Sequence, residues 1–114
     1  MGRSGAAGSG PEVYTLLVEV GRKEGDGLPE GASGGALLCH APGRDEEEAV
    51  RETVALLRTA GLAPLEVQSL GSRSERLAAG ETLDPEDAAL MDRALAENAV
   101  VVVRTEAFFE GDAD

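Results

Sequence analysis

A run of four valines near the C-terminus, residues 100–103, constrains the fold of this chain more than any other feature. Because successive side chains of a strand point to opposite faces, consecutive valines place apolar surface on both sides of one strand. Such a strand needs cover on both faces. The run therefore predicts a sheet with helices on one face and further cover on the other.

Three other segments have the pattern of strands. Residues 13–20 and 36–41 are mainly apolar, and residues 64–70 alternate between apolar and polar positions. The connection over residues 21–35 is polar and rich in glycine. A connection of this length is either functional or mobile, and it gathers no set of acid, base and nucleophile, so we expect a mobile loop.

Two helices have clear start signals in the sequence. Asp45, with Glu48 three residues later, has the spacing of a capping box, and Gly61 fits the residue after the helix end. Asp84 has the position of an N-cap, and Pro85 follows at the first helical position. Apolar residues at helical spacing give each segment one apolar stripe, so we expect both helices to pack on the sheet.

The predicted order is β-β-α-β-α-β, in a single α+β domain over residues 12–109. We expect a two-layer sandwich with two helices on a four-stranded mixed sheet, preceded by a flexible leader (1–11) and followed by an acidic tail (110–114). Residues 71–83 hold either a short helix or a further strand. The architecture resembles the ferredoxin-like sandwiches, although their usual order is β-α-β-β-α-β, and the resemblance carries no site residues across.

The charge of the chain limits its partners. The net charge is −12, with ten basic residues against 22 acidic ones. Nucleic acids and anionic membrane surfaces are bound mainly through lysine and arginine, so neither is expected as a partner. The sequence shows no secretory signal and no apolar run long enough to span a bilayer. It predicts a cytoplasmic protein.

Catalytic and metal-binding patterns are weak. Cys39 and His40 are adjacent, but neighbours on a strand point to opposite faces and cannot meet at one substrate. One histidine and one cysteine do not make a zinc site, and the acidic runs at residues 45–48 and 84–87 are explained by helix capping. We therefore predict no enzyme, no cofactor and no metal.

Arg73 and Arg76 are the polar pair with the strongest ligand-binding pattern. Together they offer two guanidinium groups to a carboxylate or phosphate. The alternative is a surface turn in which both arginines pair with nearby acidic residues.

If both helices cover one face of the sheet, the other face becomes an apolar patch large enough to suggest an interface. Its predicted members are apolar strand residues: Val13, Leu17, Leu38, Val101 and Val103. The sequence thus predicts a small acidic, non-enzymatic interaction or regulatory domain that forms a homodimer through this face. One alternative is an acidic decoy or immunity-type protein that masks a basic partner by charge complementarity. The other is a binder of a small anionic ligand through Arg73 and Arg76.

Overall fold

The computed structural model describes residues 11–109, which form four strands and three helices. These elements are β1 (Glu12–Val20), β2 (Ala32–Gly43), α1 (Glu46–Thr59), β3 (Pro64–Ser72), α2 (Arg73–Ala78), α3 (Pro85–Glu97) and β4 (Val101–Phe109). The α+β class is confirmed, and the segment 71–83 contains a short helix. The predicted leader lies outside the described residues apart from Pro11, and the predicted tail lies outside them entirely.

The helix ends follow the sequence signals. Asp45 accepts a hydrogen bond from the backbone N–H of Glu48 at 2.8 Å, which satisfies one free donor at the start of α1. Gly61 adopts a φ of +92° after the end of α1, a conformation that glycine takes without strain. Asp84 caps α3 by accepting a hydrogen bond from the backbone N–H of Glu86 at 2.9 Å, and Asn98 ends that helix in the left-handed conformation.

The sheet has the strand order β3-β1-β2-β4, and every neighbouring pair is antiparallel. The prediction of a mixed sheet is therefore wrong. Its cause is the connection through α1, which places β3 beyond β1 instead of beside β2. A ferredoxin-like fold is not confirmed by this arrangement.

The valine run lies at the margin of the sheet, because β4 is an edge strand. Val101 is half-buried and packs near α3, whereas the side chain of Val102 is 42% exposed. The expectation that both sides of this strand are covered is therefore wrong. An edge strand has a neighbour on one side alone, so elements packed over the sheet centre leave part of it in water.

Helices cover both faces of the sheet, so the predicted two-layer sandwich is also wrong. One face, here called the α1 face, carries Leu16 and Cys39, which pack with Leu57 of α1. The opposite face, here called the α3 face, carries Val13, which packs with Met91 of α3. The sequence shows how much apolar surface a helix has, but it does not show which face of the sheet each helix reaches.

The β1–β2 connection is held by Asp26 and is not a loose loop. Its carboxylate accepts hydrogen bonds from Arg22 Nε at 2.9 Å and from the backbone N–H groups of Lys23 and Leu28 at 2.8 and 3.0 Å. The Arg22 hydrogen bond, followed by the two backbone N–H bonds, lowers the pKa of Asp26 from 3.8 to about 2. Leu28 then packs against the core of the α1 face.

Candidate interaction site on the sheet

The α3 face is covered at one end and open at the other. Val13, Thr15 and His40 are buried beneath α2 and α3, whereas Leu17, two residues further along β1, is 36% exposed. We call the uncovered end the open face. It comprises nine side chains from all four strands: Leu17, Glu19, Ala36, Leu38, Glu66, Gln68, Arg104, Glu106 and Phe108.

Backbone pairing arranges eight of these side chains in two rows across the strands. The first row has an apolar centre between two polar ends, in the order Gln68, Leu17, Leu38, Arg104. The second row contains three carboxylates and one alanine, in the order Glu66, Glu19, Ala36, Glu106. The open face thus combines apolar side chains with concentrated negative charge.

Glu19 and Glu66 lie directly opposite each other on β1 and β3. Like charges in a directly opposed cross-strand pair destabilise a sheet. Among the described residues, neither carboxylate takes part in an ion pair. They border a shallow depression of about 160 Å³, whose apolar lining comes from Leu17, Ala36 and Phe108. A depression of this size is smaller than a typical small-molecule site and fits a single side chain.

A buried polar chain lies at the covered end of the α3 face. Arg76 Nη1 donates to Thr15 Oγ1 at 2.8 Å, and Thr15 Oγ1 lies 3.2 Å from His40 Nδ1. His40 Nε2 lies 3.1 Å from Asp87 Oδ1 on α3. Because Arg76 donates to the Thr15 oxygen, the Thr15 proton is free to go to His40 Nδ1. His40 then donates its Nε2 proton to Asp87, so each of these four side chains has a hydrogen-bond partner.

The order hydroxyl, imidazole, carboxylate is also that of a nucleophile with its base and orienting acid. Thr15 is 2% exposed and His40 1% exposed, so α2 and α3 keep a substrate away from the hydroxyl. This series of hydrogen bonds therefore joins α2 and α3 to the sheet. Sequence reasoning missed it, because it depends on the pairing of Thr15 with His40 across two strands.

Arg73 and Arg76 are both occupied by groups of their own chain. Arg73 donates from both terminal nitrogens to Asp92 Oδ1 on α3, each at 3.0 Å. Arg76 Nε donates to Glu81 at 3.0 Å, in addition to its bond with Thr15. These contacts match the alternative of arginines paired with nearby acids. The two guanidinium groups thus contact different acidic side chains, Asp92 and Glu81.

Residues 13–109 match a family described as "Domain of unknown function (DUF8846)". The chain belongs to this family. No curated protein and no solved structure matches it. The matched range includes nearly all of β1 and every later strand and helix, so the open face lies within the DUF8846 domain.

The residues predicted to form an interface fall into two groups in this DUF8846 domain. Val13 is 1% exposed under α3, and Val101 is half-buried against the same cluster. Val13 is therefore a core residue, which corrects its assignment to a free face; the cause is the cover by α3 that the sequence did not reveal. Leu17 and Leu38 do belong to the open face, and Val103 lies where the β2–β4 pairing register shifts.

Cys39 and His40 point to opposite faces of the DUF8846 sheet. Cys39 lies in the core of the α1 face, where burial raises the pKa of its thiol to about 11. His40 lies under α3 on the other side. The Cys39 thiol therefore stays protonated at neutral pH and packs as a small apolar group.

A larger open groove, of about 830 Å³, lies between α1 and the segment that enters β4. Its lining includes Glu48 and Glu52 of α1, Leu56 of the same helix, and Asn98. Glu48 is already paired with Arg44 at 3.0 Å. Across residues 11–109, no three or more His, Cys, Asp or Glu side chains cluster to hold a metal ion, and no helix is long and apolar enough to cross a membrane.

Proposed function

We propose that this domain is a non-enzymatic interaction module that binds a basic segment of a partner protein on its open face. The observation that carries the proposal is the direct opposition of Glu19 and Glu66 beside an apolar depression. Two unneutralised carboxylates next to exposed apolar side chains match an arginine or lysine, which has a cationic head on an apolar stem.

The depression offers each part of such a side chain a contact. Leu17 and Phe108 provide apolar surface for the stem, and the Phe108 ring also attracts a cation. Glu19 and Glu66 accept hydrogen bonds from the cationic head. Binding a cation between these carboxylates removes their mutual repulsion, so the pair favours the bound state. The net charge of −12 further accelerates encounter with a basic partner.

This proposal retains the predicted interaction domain and favours the basic-partner alternative over a homodimer formed face to face. Two open faces packed together bring Glu19, Glu66 and Glu106 of each copy into a shared interface. Each copy offers one arginine, Arg104, against these three carboxylates, so most of the carboxylates are buried unpaired, which costs several kcal/mol per unpaired charge. A basic partner has no such cost.

The test is binding of a labelled Gly-Arg-Leu-Arg-Gly peptide, followed by fluorescence anisotropy and by backbone amide chemical shifts. We expect the shift changes to centre on Leu17, Ala36 and Phe108. The double variant E19Q/E66Q removes both charges without changing side-chain size. We expect binding to weaken about two- to thirtyfold, since two exposed ion pairs at about 0.2–1 kcal/mol each are lost.

The matched control is E24Q/E30Q, which changes the net charge equally at two exposed positions of the β1–β2 connection. We expect this control to bind as the unmodified domain does. Equal weakening in both double variants shows a long-range charge effect and contradicts a site at the open face. Absence of peptide binding at about 1 mM, the weakest range of specific affinity, also overturns the proposal.

A further inference from the structure

No strand among residues 11–109 pairs with the outer edge of β4. In the order β3-β1-β2-β4, this strand pairs with β2 alone, and among the described elements it contacts β2 and α3. Val102 is 42% exposed and Phe108 is 38% exposed. An edge strand presents free backbone N–H and C=O groups and is a template for another strand. The sequence of β4 shows which strand fits.

The sequence of β4 is complementary to itself in the antiparallel direction. Residues directly opposite each other in an antiparallel pair point to the same face. When a two-fold axis normal to the sheet relates the two strands, the axis runs between one residue and the same residue of the second copy. With Thr105 at that axis, Arg104 lies opposite Glu106 of the second copy, and Glu106 lies opposite its Arg104. Opposite-charge pairs and threonine pairs are both favourable across strands.

Among the possible positions of the two-fold axis along β4, the one at Thr105 places charges of opposite sign against each other. Arg104 and Glu106 are the charged residues of β4, and both point to the α3 face because they pair with Leu38 and Ala36. An axis at Arg104 places two arginines opposite each other, and an axis at Glu106 places two glutamates opposite each other. An axis further along β4 leaves the charges without an opposed partner of the other sign. Thr105 is the centre that matches both.

The flanks of the strand also match. Val101 and Val102 precede the central three residues, and Ala107 and Phe108 follow them. Antiparallel pairing about Thr105 brings the valine end of each copy against the alanine–phenylalanine end of the other. The shift in register at Val103 changes which valine meets Phe108, but every flanking pair stays apolar. Pairs of β-branched and aromatic residues stabilise neighbouring strands.

We propose that two copies of this chain associate through β4, with Thr105 on the two-fold axis, to form one continuous sheet. The other edge strand, β3, has Glu66 but no basic residue, so it lacks this charge match. A two-fold axis normal to the sheet keeps each face on its own side. The two open faces therefore lie side by side on one surface of the dimer, and α1 of each copy lies on the other.

Charge substitutions test this pairing by sedimentation equilibrium. Arg104→Glu and Glu106→Arg each place like charges opposite each other, and we expect each to raise the dimer dissociation constant about tenfold or more. An equimolar mixture of these two variants restores both opposite-charge pairs, so we expect it to associate as the unmodified chain does. The double exchange R104E/E106R restores them within one chain. Both residues are exposed, so these variants keep the fold.

A disulfide trap tests the position of the axis. Thr105→Cys places two thiols opposite each other within reach of a disulfide, while the native Cys39 is buried. Under mild oxidation we expect a covalent dimer from Thr105→Cys and little from the exposed control Thr82→Cys. A monomeric unmodified chain at high micromolar concentration overturns the proposal. So does a dimer that is unaffected by the charge variants but dissociates with Leu17→Asp.

Discussion

Thr15 and His40 lie opposite each other on the two central strands, with Thr15 Oγ1 3.2 Å from His40 Nδ1. Both side chains are buried, and the groups that complete their hydrogen bonds come from different helices. Arg76 reaches Thr15 from α2, and Asp87 reaches His40 from α3. A pair of strand residues thus positions both helices on the α3 face.

Thr15→Val keeps the shape of the side chain but removes its hydroxyl. His40 Nδ1 loses its donor and Arg76 Nη1 loses its acceptor, and an unsatisfied buried polar group costs about 1–3 kcal/mol. We expect the free energy of unfolding in urea to fall by about that amount. The control Thr59→Val, at the exposed end of α1, changes it by less than about 0.5 kcal/mol. Equal stability of Thr15→Val and the unmodified protein contradicts the hydrogen bonds of Thr15 with Arg76 and His40.

Acid stability depends in part on Asp26. Its pKa is lowered from 3.8 to about 2, so folding favours its ionised form. This contribution is complete above pH 3.8 and is lost as the pH falls toward about 2. We expect Asp26→Asn to be less stable at neutral pH and to lose less stability than the unmodified chain across that acid range. Urea titrations at several pH values measure both effects, with Glu24→Gln as the control.

Glu66 lowers the stability of the domain through its repulsion with Glu19 and, in the proposed function, binds the basic partner. Glu66→Lys replaces the repulsion with Glu19 by an attraction across the same strand pair. We expect the domain to gain about 0.2–1 kcal/mol and to lose binding of the arginine peptide. Glu30→Lys is the matched control, since it changes the net charge equally at an exposed loop position. A variant that is stabilised and still binds separates the carboxylate pair from recognition and contradicts the proposed site.

Cys39 offers a simple probe of the α1-face core. Its thiol is buried and has a pKa of about 11, so little thiolate forms in the folded protein at mildly alkaline pH. We expect an aromatic disulfide reagent to label Cys39 slowly in buffer and rapidly in urea. The labelling rate then follows the opening of the core. Rapid labelling without denaturant shows that the core is accessible and contradicts its packing.

Local features of this fold are predictable from sequence, because they depend on neighbouring residues. Asp45, Asp84 and Gly61 mark helix ends through backbone hydrogen bonds and φ preferences that act within one turn. The Asp26 turn has a local signal too, an aspartate between glycines 25 and 27, both at positive φ. That signal was available in the glycine-rich segment but is weaker than the capping signals.

Long-range features were not predictable on the same basis. The strand order depends on where the connection through α1 returns to the sheet, and no residue pattern fixes that distance. The apolar stripe of α3 has the same appearance whichever face it covers, so the burial of Val13 was missed. The opposition of Glu19 and Glu66 needs the β1–β3 register, which strand alternation alone does not provide.

The polar attachment of α2 and α3 has a consequence for access to the rest of the sheet. The hydrogen bonds that Arg76 and Asp87 form with the sheet require one position of the helices, because hydrogen bonds are directional, whereas a purely apolar contact allows sliding. If α2 and α3 shift along the strands, His40 stays buried but loses its hydrogen-bond partners. Among residues 11–109, no helix covers the two rows of the open face, and these bonds hold α2 and α3 at the other end of the same face, so a partner reaches the rows without displacing either helix.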